Sequence, residues 1–190
     1  MKSLMSRVSI LSAFYLILGV SAAAQPALEP AALTCEYLSN PLGIDAKKPV
    51  FSWKFTARGK NEKQAAYELI VSDGEASIRA GKGNTWSTGR IESDQNVNIV
   101  YEGADLRSFT RYFWRVRVYN DRGIASAWSD PAWFETAMMD PADWQAKWVG
   151  DGSANPAKDE DYFREDRMPL FRKQFTAAQK IASARLYISG

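Results

Sequence analysis

Apolar and polar positions alternate in short stretches from Leu33 onward, with turn residues between them. Val50–Phe55 sets Phe51, Trp53 and Phe55 on one side and Ser52 and Lys54 on the other. Ala65–Ser72 does the same with Tyr67, Leu69 and Val71. This period of two predicts half-buried strands. Thr110–Asn120 is the strongest case: Tyr112, Trp114, Val116 and Val118 share one face, and Arg111, Phe113, Arg115, Arg117 and Tyr119 share the other. Leu33–Leu38, Trp86–Ile91, Asn96–Tyr101 and Trp133–Thr136 complete a set of about seven short strands. Ile78–Asn84 reads as a loop, and no amphipathic helix of three turns lies between residues 33 and 137. The pattern predicts an all-β, two-sheet sandwich over residues 33–138.

Within that sandwich, Trp53, Tyr67 and Trp114 are expected in the core. Leu106 precedes Tyr112 by the spacing of a tyrosine corner, in which a ring packs inward while its hydroxyl meets upstream backbone. Arg115 and Arg117 point the same way on their strand, and Trp128 follows the next turn. An indole between two guanidinium planes is the expected arrangement, a structural stack. It resembles half of the Trp-Ser-x-Trp-Ser ladder of cytokine-receptor sandwiches. The alternative makes Trp128 an aromatic platform for a sugar ring.

Composition narrows the chemistry. The sequence contains one cysteine and no histidine. An intrachain disulfide is therefore excluded, as is any His-dependent nucleophilic catalysis within these residues. No catalytic, cofactor-binding or metal-binding residue is expected. A net charge of +2, with no basic run longer than a pair, gives no reason to expect a nucleic-acid partner. The acidic stretch from Asp159 to Asp166 reads as a solvated loop, since it lacks the spacing of a calcium loop.

The N-terminus reads as an export signal over residues 1–24. Lys2 and Arg7 precede an apolar run from Val8 to Val20, and Ala22-Ala23-Ala24 supply a cleavage site before Gln25. The run is shorter than the roughly 20 residues that span a bilayer, so no stable membrane anchor is expected. A secreted or periplasmic product is. Residues 25–32 read as a linker, from their Pro and Ala content.

Tyr112, Arg115-Val116-Arg117, Asn120, Gly123, Ser126 and Ser129 resemble the corresponding region of fibronectin type III domains, close relatives of the immunoglobulin fold. A narrower resemblance runs along the chain. Cys35-Glu36-Tyr37-Leu38, Asn40-Pro41-Leu42-Gly43-Ile44-Asp45, Gln64-Ala65-Ala66-Tyr67, Thr85-Trp86-Ser87-Thr88-Gly89 and Val100-Tyr101-Glu102-Gly103 are similar to the opening of large multidomain bacterial α-L-rhamnosidases. Ser87-Thr88-Gly89 departs from the Asp-Ser-Gly expected there. Asp143–Gly150 is similar to that family's bridge, which gives a bridge and loop over residues 139–169. Leu170–Phe175 and Ala182–Ile188 are similar to the first strands of a jelly-roll domain, incomplete within residues 170–190.

The resemblance implies an enzyme that hydrolyses terminal α-L-rhamnose with inversion, using two carboxylates set roughly 6.5–9.5 Å apart. In the family these belong to an (α/α)-barrel far downstream. The expected role is therefore structural and non-catalytic, with the downstream catalytic domain of a full enzyme as partner. A rhamnose-containing carbohydrate is a second candidate partner. The alternative is a stand-alone exported module binding carbohydrate or protein through Trp86, Trp128, Trp133 and Tyr119. Two apolar strands without their sheet admit three explanations: a truncated or partial sequence, a second polypeptide, or packing on the sandwich through Trp144 and Trp148.

Overall fold

A computed structural model describes residues 28–163, 169–181 and 184–188. The chain divides into two compact units, one ending at Trp144 and one beginning at Gln145.

The first unit is a sandwich of two antiparallel sheets. β1 (Leu28–Cys35), β2 (Val50–Ala57) and β6 (Ile99–Val100) form a three-stranded sheet in the order β1-β2-β6. β3 (Gln64–Ser72), β4 (Trp86–Ser87), β5 (Ile91–Glu92), β7 (Arg111–Asn120) and β8 (Ala132–Glu135) form the other sheet. Its order is β4-β3-β7-β8, with β5 also on β3. The long β3–β7 pairing sets Tyr67 opposite Val118, Leu69 opposite Val116 and Val71 opposite Trp114. Those six side chains all enter the core. The period of two thus delivers one apolar face from each strand, and register aligns the two faces.

Phe51 of β2 is the hub between the sheets. Its ring lies 4.7 Å from Trp114, 5.7 Å from Phe134 and 6.5 Å from Tyr101, centroid to centroid. Trp53 is buried beside it, and its indole N–H donates to Gln64 Oε1 at 3.0 Å. The buried Gln64 amide in turn donates to the Ser93 and Gln95 carbonyls. A polar group that would be costly to bury alone is thereby satisfied on all sides. Tyr112 stacks on Phe134, and its hydroxyl accepts the Arg107 backbone N–H at 2.9 Å. Leu106 is buried one residue away.

Several boundaries differ from those read in the sequence. The expected linker at residues 25–32 becomes strand from Leu28, where Leu28–Ala31 pair with Ala57–Lys54. Pro30 is tolerated because β1 is an edge strand. The expected strand Leu33–Leu38 stops at Cys35, because Glu36 and Tyr37 turn the chain. Trp86–Ile91 splits into β4 and β5 around Gly89, which has a φ of +61°. Asn96–Tyr101 keeps only Ile99–Val100 as strand, and Trp133–Thr136 begins and ends one residue earlier. The expected loop at Ile78–Asn84 opens inside a short helix, α1 (Glu75–Arg79), which packs on β3 and β7 and buries Ile78 completely.

In the second unit, Asp159–Phe163 forms a short 3₁₀ helix. No strand forms among its described residues, contrary to the expectation for Leu170–Phe175 and Ala182–Ile188. Ala182 and Ser183 lie outside the described residues, as does the export signal expected at residues 1–24. Apolar side chains at strand-like spacing do not make a strand without a hydrogen-bonded neighbour.

The turn after β1 is strained. Glu36 and Tyr37 have φ values of +49° and +63°, and Cys35 and Leu38 exchange two backbone hydrogen bonds of 3.0 Å. That pattern is a type I′ turn, which favours Asn-Gly rather than Glu-Tyr. Glu36 offsets part of the strain by accepting the Val50 N–H at 2.7 Å. Tyr37 is 68% exposed and offers no such compensation. We expect Tyr37→Asn to raise stability by about 1 kcal/mol in urea titration, because Asn tolerates the left-handed region. Trp114→Ala should lower stability by about 3–5 kcal/mol and unfold or nearly unfold the domain. An unchanged melting midpoint would contradict the hub assignment.

Candidate functional site

The outward face of β7 carries a ladder of cations and rings. The Arg111 guanidinium lies 4.1 Å over the Trp133 ring and donates to Glu135 Oε2 at 3.0 Å. The Arg117 guanidinium lies 4.8 Å over Trp128 and donates from Nε to Glu68 Oε2 at 2.7 Å. The Tyr119 hydroxyl donates to the same oxygen at 3.2 Å. Arg90 covers the Tyr119 ring at 4.5 Å and pairs with Glu92. Cation–π contacts of this kind contribute about 0.5–2 kcal/mol each, more where water is excluded.

Arg115 does not share the Trp128 ring, contrary to expectation. Its Nε donates to the Ser129 carbonyl at 2.6 Å, and Nη2 reaches the Trp128 carbonyl at 3.5 Å. Burial lowers its pKa from the ordinary arginine value; Arg79 adds to that effect and Asp130 opposes it.

The same segment completes the free edge of β7. Beyond Trp114, β8 no longer pairs with β7. Ser126 and Ser129 take over. Their N–H groups donate to the Val118 and Val116 carbonyls, and their hydroxyls accept the Val118 and Val116 N–H groups. Two serines thus do the work of a strand and leave Trp128 between them, against Arg117.

Of the aromatic residues expected to contact a ligand, Tyr119 is buried, and Trp86, Trp128 and Trp133 are half-buried. The ladder's guanidinium groups are each held by a carboxylate or a carbonyl, which makes this face a brace rather than an open platform. Glu62, Glu68 and Glu135 have side chains 11%, 17% and 10% exposed, and each is paired with an arginine. That leaves none of the three disposed as a free acid or base. Among the described residues, no cluster of three or more His, Cys, Asp or Glu could hold a metal ion.

Pattern reading missed a cleft of about 390 Å³ at the opposite edge of the sandwich, between β4–β5 and β6. Tyr67, Trp86 and Ile99 form its apolar floor, and Ile91 and Val100 flank it. Ser87, Thr88, Gln95, Asn98 and Glu102 supply its polar rim. Gly103 lets the adjoining loop pass close to Trp86 and Tyr101, since a Cβ there would sit 2.5 Å from both. No linear signal announces the cleft, because its walls come from segments that meet only when the sheets stack.

Residues 30–140 match the family model described as the Rha78A-like, N-terminal immunoglobulin domain. The chain belongs to this family. The Rha78A-like sandwich is the N-terminal, non-catalytic part of such a protein. An α-L-rhamnosidase of Streptomyces avermitilis is 38% identical over 65% of this chain and 12% of its own length. One from Formosa agariphila is 29% identical over 80% of the chain and 17% of its own length. The α-L-rhamnosidase structure from Dictyoglumus thermophilum superposes with a TM-score of 0.62 at 43% identity, covering 64% of this chain and 14% of that one. The Streptomyces avermitilis enzyme, solved with L-rhamnose, gives 0.61 at 38% identity, over 65% and 12% of the two chains. The Rha78A-like chain therefore spans about an eighth to a sixth of the length of the curated relatives it matches.

Tyr101 links this fold to pH. Its hydroxyl donates to the Ala104 carbonyl at 2.7 Å, and burial pushes its pKa up to about 12, with Tyr112 and Asp105 adding to the rise. The neutral phenol is the form the fold accepts. Above the unfolded value of about 10, the unfolded chain loses this proton first. Stability should therefore be fully present below pH 10 and fall as pH rises from about 10 to 12. Tyr101→Phe should flatten that fall while costing about 1 kcal/mol at neutral pH, both measurable by denaturant titration across pH.

Proposed function

We propose that this chain is the front, non-catalytic module of an exported α-L-rhamnosidase, serving to position the part that cleaves terminal α-L-rhamnose. The observation that carries the reading is the match of residues 30–140 to the N-terminal domain of that family. The curated relatives are named for α-L-rhamnosidase activity, and most of their length lies outside the aligned region. The ladder supports a structural role: its charges are committed to one another, which stiffens the sheet. Export rests on the basic start, the apolar run and Ala22-Ala23-Ala24. In an oxidising compartment, burial would shield the single, free Cys35 thiol from pairing.

The purified chain should show no hydrolysis of an aryl α-L-rhamnoside, and N-terminal sequencing of the exported product should begin at Gln25. Turnover by the chain alone would overturn the non-catalytic role. An exported product that retains Met1 would overturn the signal assignment.

A further inference from the structure

The cleft between β4–β5 and β6 takes part in neither the ladder nor the contact between Phe51 and Trp114. Its volume, about 390 Å³, falls at the lower end of the range of small-ligand sites. The floor is aromatic and aliphatic, and the rim is polar. Among the described residues, Glu102 is the only charged side chain lining it. An anion would meet repulsion there with no cation to offset it. An added peptide strand is disfavoured as well. β4, β5 and β6 are two residues long each, too short an edge to support strand addition.

Two rim groups are free to act on a ligand. Among the described residues, neither the Asn98 side-chain amide nor the Glu102 carboxylate is engaged in a hydrogen bond or ion pair. Asn98 is held in the left-handed region at a φ of +55°, with its backbone N–H donating to Ser52 Oγ at 3.1 Å. The amide offers both donors and acceptors, and the carboxylate accepts two hydroxyls. The half-buried Trp86, whose ring also packs on Phe51 and Tyr101, supplies ring surface for the C–H groups of a ligand, with Ile91 and Val100 beside it, whereas Tyr67 is 7% exposed and belongs to the core. A ligand with one apolar face and a hydroxylated edge fits this division.

We propose that this cleft is a binding site for one neutral sugar residue, with Trp86 as the apolar contact and Asn98 and Glu102 as the hydroxyl-binding pair. The choice of L-rhamnose as the sugar tested first rests on the function proposed above; the chemistry of the cleft does not.

The test is titration of the 15N-labelled chain with L-rhamnose, and separately with D-galacturonate, followed through the Trp86 indole N–H and the Asn98 backbone amide. The Trp86 signal is assigned through Trp86→Phe. L-rhamnose should shift both signals saturably, with a dissociation constant of about 1 mM. D-galacturonate should bind several-fold more weakly. Glu102→Ala, at an exposed position, should leave the melting midpoint unchanged, weaken L-rhamnose at least about tenfold and narrow the gap between the two sugars. Absence of saturable shifts into the tens of millimolar would overturn the proposal. So would shifts confined to Trp128 and Trp133, or an affinity indifferent to both Glu102→Ala and Asn98→Ala. The hydrolysis assay reads the non-catalytic role independently, so failure here leaves that role standing.

Discussion

The contact between Phe51 and Trp114 is the one on which the rest of the sandwich depends. It joins the three-stranded sheet to the five-stranded one at 4.7 Å. Without a disulfide, the two sheets are held by side-chain packing and by hydrogen bonds such as that from the Trp53 indole to Gln64. A domain of this size has few core positions, so large rings must fill them. Phe51, Trp53, Tyr101, Tyr112, Trp114 and Phe134 are each at most 2% exposed. The polar atoms those rings bring inside are satisfied locally. Gln64 takes the Trp53 indole, the Ala104 carbonyl takes the Tyr101 hydroxyl, and the Arg107 N–H meets the Tyr112 hydroxyl.

That central packing determines what the outer surfaces can do. Because β7 gives its apolar face to Phe51, its arginines must point outward. They lie beside Glu68 of β3 and Glu135 of β8 through the same register that builds the core. Ion pairs on an open surface contribute little, but these carboxylates are mostly shielded and their arginines also lie over rings. The charges of this face are thereby paired with one another and with rings. The chemistry left uncommitted lies at the far edge, where β4, β5 and β6 are too short to seal the sandwich.

Alternation made the long strands legible. β2, β3 and β7 each carry several large side chains on one face, and a period of two admits no other reading there. Only the end of β1, from Leu33, was legible; its first part was hidden because Pro30, Ala31 and Ala32 give no alternation, and its strand character comes from pairing with β2. Helix α1 was hidden because a single buried residue, Ile78, does not make a period. The ladder was half visible. Spacing placed Arg115, Arg117 and Trp128 on one side, but only the path of residues 125–129 decided that Arg117 takes the ring and Arg115 takes carbonyls.

The sequence by itself determined the β-sandwich class, the inward face of each long strand and the family resemblance. Those properties follow from which side chains alternate and in what order, which is local information. Only the tertiary structure decided the strand order, the pairing of each guanidinium and the existence of the edge cleft. Each requires residues distant in the chain to meet, as Tyr67 and Val100 do across the cleft. Such meetings are set by register and sheet stacking, and neither is written in any one segment.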